Sequence, residues 1–159
     1  MNSNPDLPQL QVAQAGDTDI VVRRSFAHPP ARVWQAMTDP ALIPRWMASI
    51  DTMTRCEMDL RPGGSFHYEW GDAGSKAFYF SGPILAVDEP HHMTHVEYFN
   101  GDTASGTTVT TDLVAHGTGT RMTMVMRYAD AGARAAAIEA GMTHGLEEAY
   151  AKLDALLTG

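Results

Sequence analysis

The sequence predicts an α+β domain in which a curved antiparallel sheet wraps around one long C-terminal helix. Three observations predict it. Phe66, Tyr68 and Trp70 alternate with Ser65, His67 and Glu69, the period of a strand with one apolar face. Further strand-like runs follow at short intervals as far as Tyr128, and connections that short join antiparallel neighbours. From Ala131 to Leu157 the period becomes helical, with Ile138, Met142, Leu146, Ala149, Leu153 and Leu156 at spacings of three and four. Sheet and helix each need cover for an apolar side, and each can supply it to the other.

Residues 1–18 are rich in Asn, Pro, Gln and Asp and lack periodicity, so a flexible tail is expected there, followed by a single domain over 19–159. Ile20 to Phe26, β-branched and bounded by turn formers, is the first strand expected. Pro29 and Pro30 suit a helix start, because a missing N–H costs nothing in the first turn. Val33, Trp34 and Met37 continue that helix, and Asp39-Pro40 supplies the N-cap and first position of a second short helix ending near Met47. Strands resume at Met53, turn at Pro62-Gly63-Gly64, and recur over Ala77 to Val87, Met93 to Phe99, Gly106 to Ala115 and Thr120 to Tyr128. Asp88-Glu89-Pro90, Asn100-Gly101-Asp102 and His116-Gly117-Thr118-Gly119 separate them as turns. The terminal helix, with charges mainly between its apolar positions, would be about 40 Å long.

With 159 residues and 44% hydrophobic content, the chain can bury one sizeable core. Lys and Arg number 11 against 19 Asp and Glu, a net charge of -8 that repels phosphate backbones and anionic membrane surfaces. Neither nucleic acid nor a membrane is an expected partner, and no apolar stretch approaches the ~20 residues of a membrane span. Cys56 has no second cysteine to pair with, and the first sixteen residues lack the basic start and apolar run of a signal peptide, so a cytoplasmic location is expected.

Chemistry-bearing residues are few. Met122, Met124 and Met126 share one face of the last strand, and Met142 lies on the helix expected to cross it. Such adaptable thioethers fill an ordinary core or line a cavity that accepts varied ligands. Trp46, Phe66, Tyr68, Trp70, Phe78 and Phe80 offer stacking surfaces, most of them as core. Tyr68 and Trp70 are the better site candidates, since each brings a polar hydrogen that needs a partner when buried. Gly141 and Gly145 sit four apart in the expected helix, each costing about 1 kcal/mol there, so a close neighbour or a ligand needing space is expected against them. His95 and Glu97 stand two apart on a strand and share a face. They form a proton-transfer pair if they point inward, but charged residues are mostly exposed, and a solvated outer face is the expectation. His91, His92 and His95 lack the ligand spacing of a zinc site, so neither metal nor cofactor is expected. There is no nucleophile elbow, and Cys56 reads as a strand residue rather than a reactive thiolate, so no catalytic residue is assigned.

A set of landmarks stands in fixed order along the chain: Phe26-Ala27-His28-Pro29-Pro30-Ala31-Arg32-Val33-Trp34, Thr38-Asp39-Pro40, Arg45-Trp46, Asp59-Leu60-Arg61-Pro62-Gly63-Gly64, Gly117-Thr118-Gly119-Thr120-Arg121 and Gly141-Met142-Thr143-His144-Gly145. Together, from about Ile20 to Leu157, they resemble the bacterial single-domain homologues of the activator of heat-shock-protein-90 ATPase, within the START-like (SRPBCC) superfamily. The resemblance implies a helix-grip fold, usually with a hydrophobic cavity between sheet and terminal helix. In relatives the glycine stretch often reads Gly-Met, two residues, then Gly-Trp. Leu146 stands here in place of that tryptophan, which would enlarge or reshape such a cavity. The implied function is noncatalytic binding of a small hydrophobic or aromatic molecule. Trp46 of the second short helix and Tyr68, Trp70, Phe80, Met124 and Met126 of the sheet would line the site; on the terminal helix, Gly141, Met142, Gly145 and Leu146 would do so. One alternative is an enzyme of cyclase or hydrolase type using His95 and Glu97. Another is a co-chaperone partner of a heat-shock ATPase, although the eukaryotic activators carry an additional amino-terminal domain for which this chain has no room.

Overall fold

The computed structural model describes residues 10–47, 52–71 and 77–158. The chain runs β1 (Gln11–Ala15), β2 (Asp19–Phe26), α1 (Pro30–Thr38), α2 (Ile43–Met47), β3 (Met53–Met58) and β4 (Ser65–Trp70). It continues through β5 (Phe78–Asp88), β6 (His92–Phe99), β7 (Thr107–His116), β8 (Gly119–Arg127), α3 (Ala131–Glu139) and α4 (Leu146–Thr158). The strands form one eight-stranded sheet in the order β1-β2-β8-β7-β6-β5-β4-β3, with every neighbouring pair antiparallel. Register shifts between Met53 and Arg55 and between Ile84 and Ala86 add local bend of the kind that curves a sheet. This is the helix-grip arrangement.

Two features depart from the sequence reading. Residues 11–15, expected in a flexible tail, form β1, paired with β2 from Gln11 opposite Arg23 to Ala15 opposite Asp19. All five of its residues are exposed, so no buried face announces the strand as an apolar period. Residues 1–9 of that tail lie outside the described residues.

The single long helix is two helices. Gly141 and Gly145 take φ of +88° and +82°, left-handed conformations in which an L side chain is strained. Gly141 closes α3 as a Schellman cap: its N–H donates to Ile138 O at 3.0 Å, and the Met142 N–H donates to Ala137 O at 3.2 Å. Gly145 then opens α4, its carbonyl accepting the Ala149 N–H at 2.9 Å. A Cβ on Gly145 would meet nothing within 4 Å. The glycine therefore answers a backbone requirement rather than a crowding neighbour.

The main apolar cluster joins Ile20, Val22 and Phe26 of β2 to Val109 and Leu113 of β7, Met122 and Met126 of β8, and Val33 and Trp34 of α1. Helix α4 closes it with Tyr150, Leu153 and Leu157. A smaller cluster, Ile43, Met53, Phe66 and Tyr68, occupies the β3–β4 end beneath α2. Polar contacts fix α4 in place. Arg24, buried on the inner face of β2, holds Glu147 with both carboxylate oxygens, at 2.8 and 2.9 Å. Farther along, the Ala27 N–H donates to Asp154 Oδ1 at 3.0 Å and Arg32 Nη2 to Leu157 O at 3.0 Å. No helix among the described residues is long and apolar enough to cross a membrane.

Candidate functional site

Strand pairing aligns Ile84, His95, Val109, Met126 and Ile20 in one row across β5, β6, β7, β8 and β2. Ile84, Val109 and Ile20 are each 1% exposed, Met126 5% and His95 8%. His95 thus stands as the one titratable side chain in an otherwise aliphatic row, with the Phe66 ring 5.0 Å away and nearly perpendicular to it. The expectation of a solvated outer face is overturned. Strand β6 turns His95 inward, with Met93 of the same parity buried beside it, and Glu97 shares that face.

His95 Nε2 lies 3.0 Å from Glu97 Oε2. An ionised carboxylate only accepts, so Nε2 donates, and in the neutral ring Nδ1 bears the lone pair. That Nδ1 is buried with no hydrogen-bond partner among the described residues. The Glu97 carboxylate also acts on three phenols: Tyr68 of β4, Tyr128 just after β8 and Tyr150 of α4. Burial is the largest cause in each case; Cys56 and then Glu97 add to it at Tyr68, Glu97 adds to it at Tyr128, and at Tyr150 Glu97 adds to it against the opposing charge of Arg24, pushing Tyr128 up to about 12 and Tyr68 and Tyr150 well above their ordinary range. At neutral pH all three are protonated hydroxyls, able to donate.

The residues singled out from sequence divide. Tyr68 is buried beside Phe66, with ring centroids 4.8 Å apart, and Trp70 and Phe80 are half-buried along the same wall. Met126 shares the row of His95, and half-buried Met124 accepts the Tyr150 hydroxyl on its sulfur at 3.9 Å. Trp46 is core: its Nε1 donates to Ala36 O at 2.8 Å and its ring stacks on Tyr150. Met142, within the helix break, and Leu146, at the start of α4, pack against the main cluster, while Gly141 and Gly145 act as caps. Cys56 has its thiol pushed up to about 11, chiefly by burial and then by the charges of Asp39 and Glu57, so it stays protonated. Sequence reasoning missed Tyr128, Tyr150 and Arg24. Tyr150 had a usable signal, three residues before Leu153 and so on the same helix face.

Known proteins of similar structure agree with this fold. The chain is similar to a Rhodobacter sphaeroides protein at 32% identity and TM-score 0.87, over 94% of this chain and 99% of that one. It is similar to protein Ms6760 from Mycobacterium smegmatis at 30% identity and TM-score 0.83, over 94% and 97% of the two chains. Protein NE0264 from Nitrosomonas europaea follows at 26% identity and TM-score 0.79, over 92% and 97%. No curated protein matches. The family profile described as Activator of Hsp90 ATPase homolog 1-like protein matches residues 27–158, from the β2–α1 junction to the end of α4. With that match over most of its length and a helix-grip fold shared with these relatives, the chain belongs to the Activator of Hsp90 ATPase homolog 1-like family of START-like proteins.

Proposed function

We propose that the protein binds a small, largely apolar molecule between the inner face of the sheet and α4. The observation that carries this reading is the divided core. Helix α4 gives Tyr150, Leu153 and Leu157 to the main cluster and no buried residue to the smaller one under α2. His95 lies at the seam, paired in register with Val109 of one cluster and touching Phe66 of the other. A purely structural core closes such a seam with aliphatic side chains; here it carries an imidazole paired with a carboxylate, with the Tyr68 phenol ring beside Phe66. Beside it, half-buried Trp70 stacks on Phe78 at 5.2 Å and meets Phe80 edge-on, giving flat apolar surface. Family membership supports a fold of ligand-binding type. The test is native mass spectrometry of the purified protein for a co-purifying small molecule, followed by a thermal screen of hydrophobic and aromatic metabolites. Binders are expected to raise the melting temperature by mass action. A protein that carries nothing and that no compound stabilises refutes the proposal.

The pairing of Glu97 with His95 Nε2 favours a second reading, general-base catalysis on the bound molecule. In that case His95→Ala and Glu97→Gln abolish turnover while ligand affinity survives.

A further inference from the structure

We infer that His95 Nδ1 is a fixed hydrogen-bond acceptor for a hydroxyl of the bound molecule, that Glu97 is the positioning residue that sets its tautomer, and that the ligand class is a hydroxyl-bearing aromatic. The inference rests on the binding reading above. An acceptor buried without a partner is costly, and the four other members of its row, Ile84, Val109, Met126 and Ile20, show that an apolar side chain fits there. The imidazole is therefore compensated by something outside the row. Glu97 occupies only Nε2, and by accepting its hydrogen it leaves the lone pair on the opposite side of the ring. No tyrosine hydroxyl satisfies Nδ1, although Tyr68, Tyr128 and Tyr150 all lie within electrostatic reach of Glu97. A ligand hydroxyl can do so by donating to Nδ1. The aromatic half of the assignment comes from the wall beside His95, where Phe66, Tyr68, Trp70 and Phe80 follow one another in ring contact.

The experiment is a fluorescence titration of the full chain with 2-naphthol, naphthalene and 2-methoxynaphthalene, probes that share a ring system and differ in the ability to donate. 2-Naphthol is expected to bind about tenfold more tightly than either other probe. His95→Leu should bring that ratio to about one. Glu97→Gln should give an intermediate ratio, because a glutamine can turn either its oxygen or its amide nitrogen toward Nε2 and so frees the tautomer. Nitrogen-15 NMR of the wild-type histidine rings is the readout that needs no variant to fold. It should show His95 protonated on Nε2 alone, with the Nδ1 resonance moving when 2-naphthol is added and staying still with 2-methoxynaphthalene. Equal binding of all three probes, or a proton on Nδ1 of the free protein, overturns the inference and leaves the binding reading standing. If none of the probes binds and the wider screen is also empty, the binding reading falls and takes the inference with it.

Discussion

The pairs His95–Glu97 on β6 and His67–Glu69 on β4 share one sequence pattern and nearly one geometry, yet they face opposite sides of the sheet. Their imidazole-to-carboxylate distances are 3.0 and 2.8 Å, and the glutamates are 29% and 31% exposed. What differs is the company. His67 is flanked in register by Glu57 and Ser81 and lies flat on Tyr79 at 4.9 Å. His95 is flanked by Ile84 and Val109 and meets Phe66 nearly at right angles. Distance and exposure alone would rank the two pairs as equals. The row in which each histidine stands decides whether its second nitrogen has an ordinary environment or is an unpartnered group in an apolar wall.

The comparison holds only if the two faces treat a charge differently, and that difference can be tested at its largest. Leu153→Asp places a carboxylate in the fully buried stripe of α4 and should cost about 4 kcal/mol or more, whereas Val114→Asp, at a position 61% exposed, should stay within about 0.5 kcal/mol. Chemical denaturation of both variants checks this; matching midpoints would remove the distinction between the faces. A smaller effect comes from the phenols around Glu97. Unfolding returns Tyr68 and Tyr150 to an ordinary value of 10.0, while burial keeps them protonated in the fold. Above that pH the unfolded chain holds fewer protons than the native one, so stability is fully present below pH 10 and falls as pH rises. The slope is about 1.4 kcal/mol per pH unit for each tyrosine. Denaturant curves between pH 8 and pH 12 measure it, and a flat profile contradicts the burial of these hydroxyls. The smallest effect separates the pairs directly. Glu97→Gln removes a negative charge near Tyr128 and should lower its ionisation from about 12 by a fraction of a pH unit, while Glu69→Gln leaves the phenolate titration, followed by ultraviolet absorbance, where it was.

Much of the fold is legible in the sequence because most elements obey a single period. The alternation of Phe66, Tyr68 and Trp70 fixes the face of β4 and therefore puts His67 and Glu69 outside. On β6 the same rule has no purchase: Met93 and Phe99 share the parity of His95, while Val96 and Tyr98 favour the other face, and the apolar residues balance. The buried side of that strand is set by neighbours distant in sequence, Ile84 and Val109. Gly141 and Gly145 mislead for a related reason, since a spacing of four fits a helix interior as well as two successive caps. Once the helix breaks, the phase carried over from Ile138 slips, and Tyr150 and Leu157 take the fully buried places expected for Ala149 and Leu156.

That break has a consequence for local stability. Helix α3 has no buried residue. It is anchored to the β1–β2 turn by Arg134, which donates to the carbonyls of Gly16 and Asp19 at 3.0 Å each, and its own start is capped by Asp130. Helix α4, by contrast, is packed through Tyr150, Leu153 and Leu157 and clasped by Arg24. A stretch of chain that a continuous helix would bind into one cooperative unit is thus divided into two. Residues 131–139, with no buried side chain, are expected to open at a lower free-energy cost than α4, which is packed through three buried ones.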